Sequence, residues 1–300
     1  MERRTLLKSA LALPAAGVEV ALSAGPANSV TAREEVETIH SGLAGLDFAL
    51  GGIERGALIA VTGPPCAGKT LLLLELAARV SSRYRQNVAF YSAQEPAVYL
   101  AGKAAQRGDV TVAFGMESLV GESAEPAGNA GPAILLMEST ACAPGAAFGL
   151  AKRLRESHTW GCALLIMDGF SSYPESAPRV SEIDGIQYFP ADRWAHDLLE
   201  AAAVLDTRRW AAVSGVPLVV GLTTPSLVEP AGPSEAECAL RVTADRYVVI
   251  HRPEIYRETA KKLSEERDVA CLTGTSAQWW DTRSSRLRFR SGDLTFETVV

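Results

Sequence analysis

The feature that most constrains the fold is an eight-residue run, Gly63-Pro64-Pro65-Cys66-Ala67-Gly68-Lys69-Thr70. It matches the pattern GxxxxGK[ST], which is typical of a loop between a buried strand and the start of a helix. A short apolar stretch, Leu58 to Val61, precedes the run, and a stretch rich in Leu and Ala, Thr70 to Val80, follows it. The flanking residues therefore predict a strand, a loop and a helix in the order that the pattern requires.

The fixed positions of this run suit the binding of nucleotide phosphates. Glycines let the backbone curl so that several N–H groups point at phosphate oxygens, and the N-terminus of the following helix adds a favourable dipole. In such a loop the lysine contacts the β- and γ-phosphates, and the threonine hydroxyl ligates Mg²⁺. The sequence thus predicts that residues 63–70 bind ATP or a related nucleotide, with Lys69 at the phosphates and Thr70 on the metal.

Two further predicted strands end in polar residues that would complete such a site. The apolar run from Ala163 to Met167 ends in Asp168, and a carboxylate in that position supports Mg²⁺. The run from Asn87 to Ser92 is followed by Gln94 and Glu95. A carboxylate there would activate the attacking water, whereas an amide would orient it without taking its proton. Three interpretations remain open: catalysis by Glu95, orientation of water by Gln94, and a Glu95 that is only a solvated turn residue.

Predicted strands alternate with predicted helices along the chain. Further strands are predicted at 87–92, 133–137, 163–167, 217–222 and 247–251, and helices at 96–106, 146–157 and 193–214. This alternation favours an α/β fold with a mostly parallel central sheet and helices on both faces. The segment 269–300 instead predicts two or three antiparallel strands. Segments 121–132, 169–190 and 223–237 are predicted to be loops.

The composition is that of a globular protein with a sizeable core. Hydrophobic residues make up 47% of the chain and charged residues 21%, with a net charge of −6. This charge gives no argument for nucleic-acid binding by overall attraction. The five cysteines form no CxxC pair, which argues against a zinc site and favours reduced intracellular thiols. No uninterrupted run of 18 apolar residues occurs, so no membrane insertion is expected.

Residues 1–37 form a leader or N-terminal extension in this interpretation, and residues 38–300 form the main domain. Arg3-Arg4, followed by an Ala/Leu-rich stretch from Ser9 to Ala24, resembles a twin-arginine export signal. However, Glu19 interrupts the apolar stretch, and an ATP-dependent protein would find no ATP outside the cytoplasm. We therefore expect a cytoplasmic protein. The basic and apolar N-terminus is then fortuitous, the result of a misplaced start codon, or a docking helix.

The order of these motifs resembles that of the RecA-like ATPases, a group that includes the DnaB-type replicative helicases. The resemblance is carried by Ser41-Gly42-Leu43, Leu46-Asp47, Gly51-Gly52-Ile53, Gly56, the phosphate loop, Tyr91 to Glu95, and the strand before Asp168. The segment from Ala244 to Tyr256 is similar to the "ADxxxxxHRPExY" stretch of the DnaB-type C-terminal ATPase domain. The resemblance covers about residues 38–297.

The resemblance implies a RecA-like P-loop NTPase fold with a C-terminal antiparallel extension, and ATP with Mg²⁺ as ligands. It also implies a homo-oligomeric, hexameric ring around single-stranded DNA, with the loops near 170–190 and 224–240 facing the channel. The family's catalytic glutamate falls on Gln94, with Glu95 one position later, and its γ-phosphate-sensing glutamine falls on Thr224. The family's Lys-x-Arg pair, which reaches the neighbouring subunit's nucleotide, is replaced by Thr273-Gly274-Thr275.

Two functions of different kinds follow from these observations. The first is a DnaB-type ATPase acting on single-stranded DNA in replication or repair, which the long span of the resemblance favours. The second is a regulatory or assembly protein of the RecA/KaiC type that hydrolyses nucleotide poorly. The change at Gln94 and the loss of the Lys-x-Arg pair favour the second. So does the scarcity of basic residues near the two predicted channel loops, since residues 169–190 offer only Arg179 and residues 223–241 only Arg241. Four arginines follow further along the chain: Arg283, Arg286, Arg288 and Arg290. Two interpretations of them are open, namely that they replace the lost pair or that they lie on the exposed faces of edge strands.

Overall fold

The computed structural model describes residues 38–106, 111–114, 133–138, 162–170, 181–183, 186–188, 193–224, 235–252, 269–276, 281–290 and 294–299. Within these ranges the helices are α1 (Ala44–Leu50), α2 (Lys69–Tyr84), α3 (Ala97–Ala105), α4 (Arg193–Ser214) and α5 (Glu235–Thr243). The strands are β1 (Leu58–Gly63), β2 (Asn87–Ser92), β3 (Thr111–Phe114), β4 (Ala133–Glu138), β5 (Cys162–Asp168), β6 (Ser181–Ile183), β7 (Ile186–Tyr188), β8 (Leu218–Thr223), β9 (Arg246–His251), β10 (Val269–Ser276), β11 (Thr282–Arg290) and β12 (Thr295–Val299).

Ten of these strands form one sheet, in the order β12-β11-β10-β9-β1-β8-β5-β2-β4-β3. The strands from β9 to β3 in this order pair in parallel, whereas β10, β11 and β12 pair antiparallel. The predicted class, a mostly parallel α/β sheet with a C-terminal antiparallel extension, is therefore confirmed. Since the carboxyl ends of parallel strands meet at one edge of a sheet, the ends of β1, β2, β5 and β8 lie together.

Strand β1, which leads into the phosphate loop, is buried on both faces of the sheet. All six of its residues are buried. Ile59 and Val61 belong to a hydrophobic cluster with side chains of α1, α2 and α3. Leu58 and Ala60 belong to a second cluster that includes residues of α4 and α5. Helices therefore cover both faces of the strand, which gives the loop after it a rigid base.

An ion pair between Asp245 and Arg208 fixes the start of β1. The Asp245 carboxylate accepts a hydrogen bond from the Leu58 backbone N–H at 2.8 Å and one from Arg208 Nη2 at 2.9 Å. Arg208 Nη1 donates to the Gly56 carbonyl at 2.9 Å. The aspartate of the segment from Ala244 to Tyr256 thus has a structural role, which is to hold β1 against β9 and α4.

The Ser41-to-Asp47 motif also has a structural role. The Asp47 carboxylate accepts hydrogen bonds from the Ser41 N–H at 2.6 Å, the Ser41 hydroxyl at 2.7 Å and the Gly42 N–H at 2.9 Å. A backbone bridge between Ile39 and Ile53 closes the segment around α1. These contacts explain the residue types in this part of the motif by local folding.

Several short elements differ from the sequence prediction. The predicted loop 169–190 contains the antiparallel pair β6–β7. The predicted loop 223–237 already contains the first residues of α5, and strand β3 was not predicted. Elements of three or four residues carry too few side chains to show a period, so pairing and packing decide them. The predicted loop 121–132, the predicted helix 146–157 and residues 1–37 lie outside the described residues.

Helix α1 packs so closely on β10 that Gly274 has no room for a side chain. A Cβ at Gly274 would lie 1.9 Å from the Ala49 carbonyl oxygen, which is a backbone atom and cannot rotate away. We expect Gly274→Ala to lower the free energy of unfolding by about 2 kcal/mol or more.

A matched glycine substitution serves as the control for this prediction. A Cβ at Gly102, within α3, would meet no atom within 4 Å. Gly102→Ala is therefore expected to raise stability by up to about 1 kcal/mol, because alanine favours the helix. Urea unfolding of the two variants measures both changes. A Gly274→Ala protein as stable as the native chain would show that α1 does not contact β10 in this way.

Candidate functional site

The predicted phosphate loop follows β1 and runs directly into α2. Gly68 precedes the helix with a φ of +92°, and Cys66 adopts a φ of +62°, which is unusual for a residue with a side chain. The Thr224 N–H donates to the Gly63 carbonyl at 3.0 Å and ties the loop to the end of β8. A Cβ at Gly63 would lie 2.4 Å from the Ile250 carbonyl oxygen of β9. Gly68 is thus required by its backbone conformation, and Gly63 by close packing.

Lys69 folds its side chain back over this loop. Its Nζ donates to the carbonyls of Gly63 at 2.9 Å and Pro64 at 3.0 Å, and the residue is only 6% exposed. Burial lowers the pKa of the Lys69 ammonium, while the nearby Asp168 carboxylate acts in the opposite direction. A desolvated ammonium whose partners are two neutral carbonyls gains much from an anion. This local environment suits a phosphate group.

Thr70 and Asp168 meet beside the lysine. The Thr70 hydroxyl donates to Asp168 Oδ2 at 2.7 Å. Asp168 is 1% exposed, and its second oxygen, Oδ1, accepts no hydrogen bond from any described residue. Burial raises the pKa of Asp168 to about 6, although the Thr70 hydrogen bond and the Lys69 charge lower it. Gly221 on the neighbouring strand leaves this space open, since a Cβ there would lie 2.8 Å from Asp168 Oδ1.

The donor set at this point fits a magnesium ion. Mg²⁺ prefers oxygen ligands, usually one or two from the protein, with water and phosphate completing the set. Here a buried carboxylate oxygen without a partner among the described residues lies beside a threonine hydroxyl. Buried polar atoms without partners are rare in folded proteins and call for an explanation such as an ion. Thr70 and Asp168 therefore have the chemistry that the predicted metal site requires.

Gln94 reaches across the carboxyl ends of three strands. Its Nε2 donates to the Thr223 hydroxyl oxygen, at the end of β8, at 3.2 Å. Gly169, which follows Asp168 in β5, lies between these two ends with a φ of +83°. A Cβ at Gly169 would lie 2.6 Å from Gln94 Cγ, so only glycine admits the side chain there. Gln94 thus lies over the end of the strand that carries Asp168.

Glu95 has a different partner. Its backbone N–H donates to the Ser92 hydroxyl at 2.9 Å, and its carboxylate forms a salt bridge with Lys103 of α3. The Lys103 and Glu95 side chains are 27% and 33% exposed, respectively. Glu95 is close enough to Asp168 that its charge, after burial, helps to raise the pKa of Asp168. The interpretation of Glu95 as merely a solvated turn residue is therefore too simple.

Three residues of the site carry no direct signal in the sequence: Gly169, Gly221 and Thr223. Neither does Lys103, the partner of Glu95, which lies outside the site. Thr223 is one of two threonines after an apolar strand, and nothing in the chain links it to Gln94, which lies 129 residues earlier. Lys103 lies eight residues after Glu95, a spacing that no helical pairing rule covers. Gly169, Gly221 and Thr223 lie at or near the converging ends of β5 and β8, a position that only the folded sheet reveals, whereas Lys103 lies in the last turn of α3.

Thr273 and Thr275, at which the resemblance places the family's Lys-x-Arg pair, lie on β10. Thr273 and Thr275 are half-buried on the face of β10 opposite to Gly274, and the Thr273 and Ser284 hydroxyls lie 3.4 Å apart. On β11, exposed arginines alternate with the buried Leu287. The exposed face carries three of these arginines: Arg286, Arg288 and Arg290. The last two pair with Glu297. Arg283 lies on the other face and pairs with Asp281.

The two basic residues expected on the channel loops give little support to a basic channel. Arg241 lies on α5, pairs with the buried Glu237 and stacks on the Tyr247 ring. Tyr247 in turn donates to the same Glu237 oxygen at 3.2 Å. Arg241 is therefore part of a structural cluster. Arg179 lies outside the described residues. None of the helices within the described ranges has the length and apolarity needed to cross a membrane.

Comparison with known proteins supports the fold and the identity of the phosphate-loop segment. A sequence model of the DnaB-like helicase C-terminal domain family matches residues 38–112, which include the phosphate loop, Gln94 and Glu95. Two solved structures match 88% of the chain at 13% identity. One, described as a DnaB-like replicative helicase and its interactions with primase, has a TM-score of 0.64 and is covered over 62% of its length. The other, described as an ATPase domain, has a TM-score of 0.62 and is covered over 92% of its length.

These comparisons define how far the likeness extends. The chain spans less than two thirds of the DnaB-like helicase, and no curated protein sequence matches it. At 13% identity the structural matches concern the fold. The chain has the RecA-like fold of DnaB-type ATPase domains and resembles the DnaB-like helicase C-terminal domain in the segment that carries the phosphate loop.

Proposed function

We propose that this chain binds ATP with Mg²⁺ at residues 63–70 and hydrolyses it, as an ATPase of the DnaB-helicase type. The observation that carries this proposal is the grouping of three side chains at the start of α2. A desolvated Lys69 ammonium lies near a buried carboxylate, Asp168, which has one oxygen without a described partner and one bound by Thr70.

Phosphate binding follows from the present partners of Lys69. The charged oxygens of a triphosphate are stronger acceptors than the two carbonyls that now hold the ammonium. Backbone N–H groups of the loop and of the first turn of α2 supply further donors, because the first four N–H groups of a helix have no partner within it. Residues 63–70 would thus surround the phosphates with donors and one positive charge.

Thr70 and Asp168 would hold the magnesium ion, which supplies positive charge to offset the charge on the β- and γ-phosphate oxygens. Asp168 must be ionised for this purpose. Its pKa of about 6 leaves it mostly ionised at neutral pH and mostly protonated below pH 5. Lys69 also favours the ionised form. Because kcat/KM reports the enzyme before Mg-ATP binds, kcat/KM for Mg-ATP is expected to decline as the pH falls below about 6, which a pH–rate profile of the native chain measures.

Hydrolysis also needs a side chain that orients the attacking water. Gln94 and Glu95 are the two candidates, since both follow β2 at the edge of the sheet where Asp168 lies. We propose that one of these residues contacts the water, and their different partners allow a choice between them.

The fold likeness supports a wider proposal about partners and location. In this proposal residues 38–300 form the ATPase domain and residues 1–37 an N-terminal extension of a cytoplasmic protein. The chain assembles into a homo-oligomeric ring, hexameric by likeness to the family, and acts on single-stranded DNA in replication or repair. Segments 170–190 and 224–240 would line the channel.

A second candidate function is a nucleotide-gated assembly protein with little hydrolysis. Two observations favour it. The Glu95 carboxylate is engaged by Lys103, and the two positions on β10 that carry a Lys-x-Arg pair in the family are the uncharged Thr273 and Thr275. An arginine supplied by a neighbouring subunit is worth orders of magnitude in phosphoryl transfer. Binding without turnover would favour this candidate.

The location of the nucleotide can be tested through the cysteine in the loop. Cys66 is exposed beside Lys69, and Cys238 is exposed on α5 as an internal control. We expect Mg-ATP to slow the alkylation of Cys66 by about tenfold or more, because bound phosphates cover the loop. Alkylation of Cys238 should not change. Mass spectrometry of the full chain after timed alkylation measures both sites, and an unchanged rate at Cys66 would place the nucleotide elsewhere.

A further inference from the structure

Gln94 and Glu95, which follow β2, differ in which of their side-chain atoms remain available for a further hydrogen bond. Gln94 uses its Nε2 as the donor to Thr223. Because an amide carries its donor and its acceptor on different atoms, this hydrogen bond leaves the Oε1 acceptor unused. No described residue donates a hydrogen bond to that oxygen. Gln94 therefore presents an oriented acceptor and has no titratable proton.

The position of this acceptor is fixed by the strand ends around it. Gly169 lies beneath Gln94, directly after Asp168 in the chain. Thr223 is followed by Thr224, whose N–H donates to the carbonyl of Gly63 at the start of the phosphate loop. The hydrogen bond from Gln94 to Thr223 thus connects the end of β2 to the strand end that is attached to the loop. Gln94 is held on the side of the sheet where the phosphates would lie.

Glu95 is directed toward a different element. Its backbone is held by Ser92, and its carboxylate pairs with Lys103 in the last turn of α3. The Lys103 ammonium donates to Glu95 Oε2, so this oxygen already has a partner on α3. The salt bridge is partly exposed, so its strength is modest. In the structure it holds the Glu95 carboxylate on α3.

We infer that Gln94, and not Glu95, orients the water that attacks the nucleotide. Thr223 is the positioning residue for Gln94, and Lys103 keeps Glu95 out of this role. The inference rests on the proposed ATP hydrolysis. In that reaction the water oxygen forms a bond to the γ-phosphorus and the bond to the β–γ bridging oxygen breaks, giving ADP and phosphate. The Gln94 Oε1 accepts a hydrogen bond from the water, whose proton passes to a γ-phosphate oxygen.

The test compares kcat, KM and nucleotide affinity in variants of the full chain. We expect Gln94→Ala to lower kcat by about 100-fold with an unchanged Kd for a fluorescent ATP analogue. Glu95→Gln should keep kcat within about threefold of the native value. Thr223→Val should lower kcat by about tenfold. Thr223→Ser should keep the native kcat, because only the hydroxyl is needed.

Lys103 is tested in two backgrounds. Lys103→Met alone should leave kcat within about threefold, because Gln94 still orients the water. In the Gln94→Ala background, the same change should raise kcat several-fold, since it releases the Glu95 carboxylate to act as a base. A double variant with no more activity than Gln94→Ala would overturn the role assigned to Lys103.

Two results separate this inference from the proposed function. If the native chain hydrolyses ATP, and Glu95→Gln abolishes turnover while Gln94→Ala retains it, the inference is wrong and the proposed function stands. If the native chain binds the fluorescent nucleotide but shows no turnover, the proposed hydrolysis fails and the inference fails with it. A Thr223→Ser variant as impaired as Thr223→Val would show that Thr223 acts through packing.

Discussion

Replacing Lys69 with alanine is expected to weaken nucleotide binding by about 100-fold or more. The ammonium is the one charged donor that the described part of the loop offers to the phosphates, and a hydrogen bond to a charged group contributes about 1.5–3 kcal/mol. Two such bonds correspond to at least about a hundredfold change in Kd. Fluorescence titration with an ATP analogue in the presence of Mg²⁺ measures this loss directly.

The same variant should fold almost as well as the native chain. Removing Lys69 leaves the Gly63 and Pro64 carbonyls without that donor, but it also removes a desolvated charge whose pKa is lowered by burial. These effects oppose each other, so the free energy of unfolding without nucleotide should change by only about 1 kcal/mol.

Thermal unfolding with and without Mg-ATP separates binding from folding in this variant. At a nucleotide concentration of about 100 times the native Kd, the native chain gains about 2.7 kcal/mol, and Lys69→Ala should gain no more than about 0.4 kcal/mol. Arg209→Ala, at an exposed residue of α4, makes the same charge change and should behave like the native chain. Equal stabilisation of Lys69→Ala and the native chain by nucleotide would contradict binding at this loop.

Asp168→Asn is expected to change activity and stability in opposite directions. The substitution removes the carboxylate proposed to support Mg²⁺, and hydrolysis should fall by about 100-fold or more. Without nucleotide, however, the variant should be more stable by about 1–2 kcal/mol at about pH 7.5. The reason is that burial raises the pKa of Asp168 to about 6, so that its charge destabilises the folded state at neutral pH.

The pH dependence of this gain has a definite sign. Because the pKa of Asp168 is about 6 in the folded chain and 3.8 as the reference value, the folded state binds more protons between these limits. The native chain therefore loses stability from this group as the pH rises through this range. The advantage of Asp168→Asn should be full above about pH 6 and should disappear below about pH 4. Urea unfolding at several pH values measures it, and an advantage that does not vary with pH would refute this account of Asp168.

Much of the fold was predictable because its main elements have strong local patterns. The helix predicted at 193–214 has the bounds that the structure shows, and the buried strands before the phosphate loop and before Asp168 were found from their apolar runs. In contrast, β6 and β7 have three residues each, which is too short to establish a period. Their pairing depends on contacts between the two segments, which periodicity cannot reveal.

The residues of the site were predictable from the sequence where a motif or a strand end indicates their role. Lys69, Thr70 and Asp168 were expected to lie together, because a loop before a helix and an aspartate at a strand end converge in a parallel sheet, and the structure brings them together. The choice between Gln94 and Glu95 could not be made in this way. It depends on the partners Thr223 and Lys103, which only the folded chain brings to these side chains.

The glycines show the same difference between local and tertiary causes. Gly68 is required by its left-handed backbone conformation, which the loop pattern predicts. Gly63 and Gly221 are required because β9 and Asp168, respectively, approach them closely. Such close approaches depend on which strands are neighbours in the sheet, and this order cannot be read directly from a single sequence.

The central claim is that this chain hydrolyses ATP at the phosphate loop, and steady-state hydrolysis by the full chain tests it most directly. The assay includes Mg²⁺, is run with and without single-stranded DNA, and uses Lys69→Ala as the control. We predict a turnover that requires Mg²⁺, rises with DNA and disappears in the control. Tight nucleotide binding without turnover, unchanged by DNA, would contradict the account and leave the nucleotide-gated assembly protein in its place.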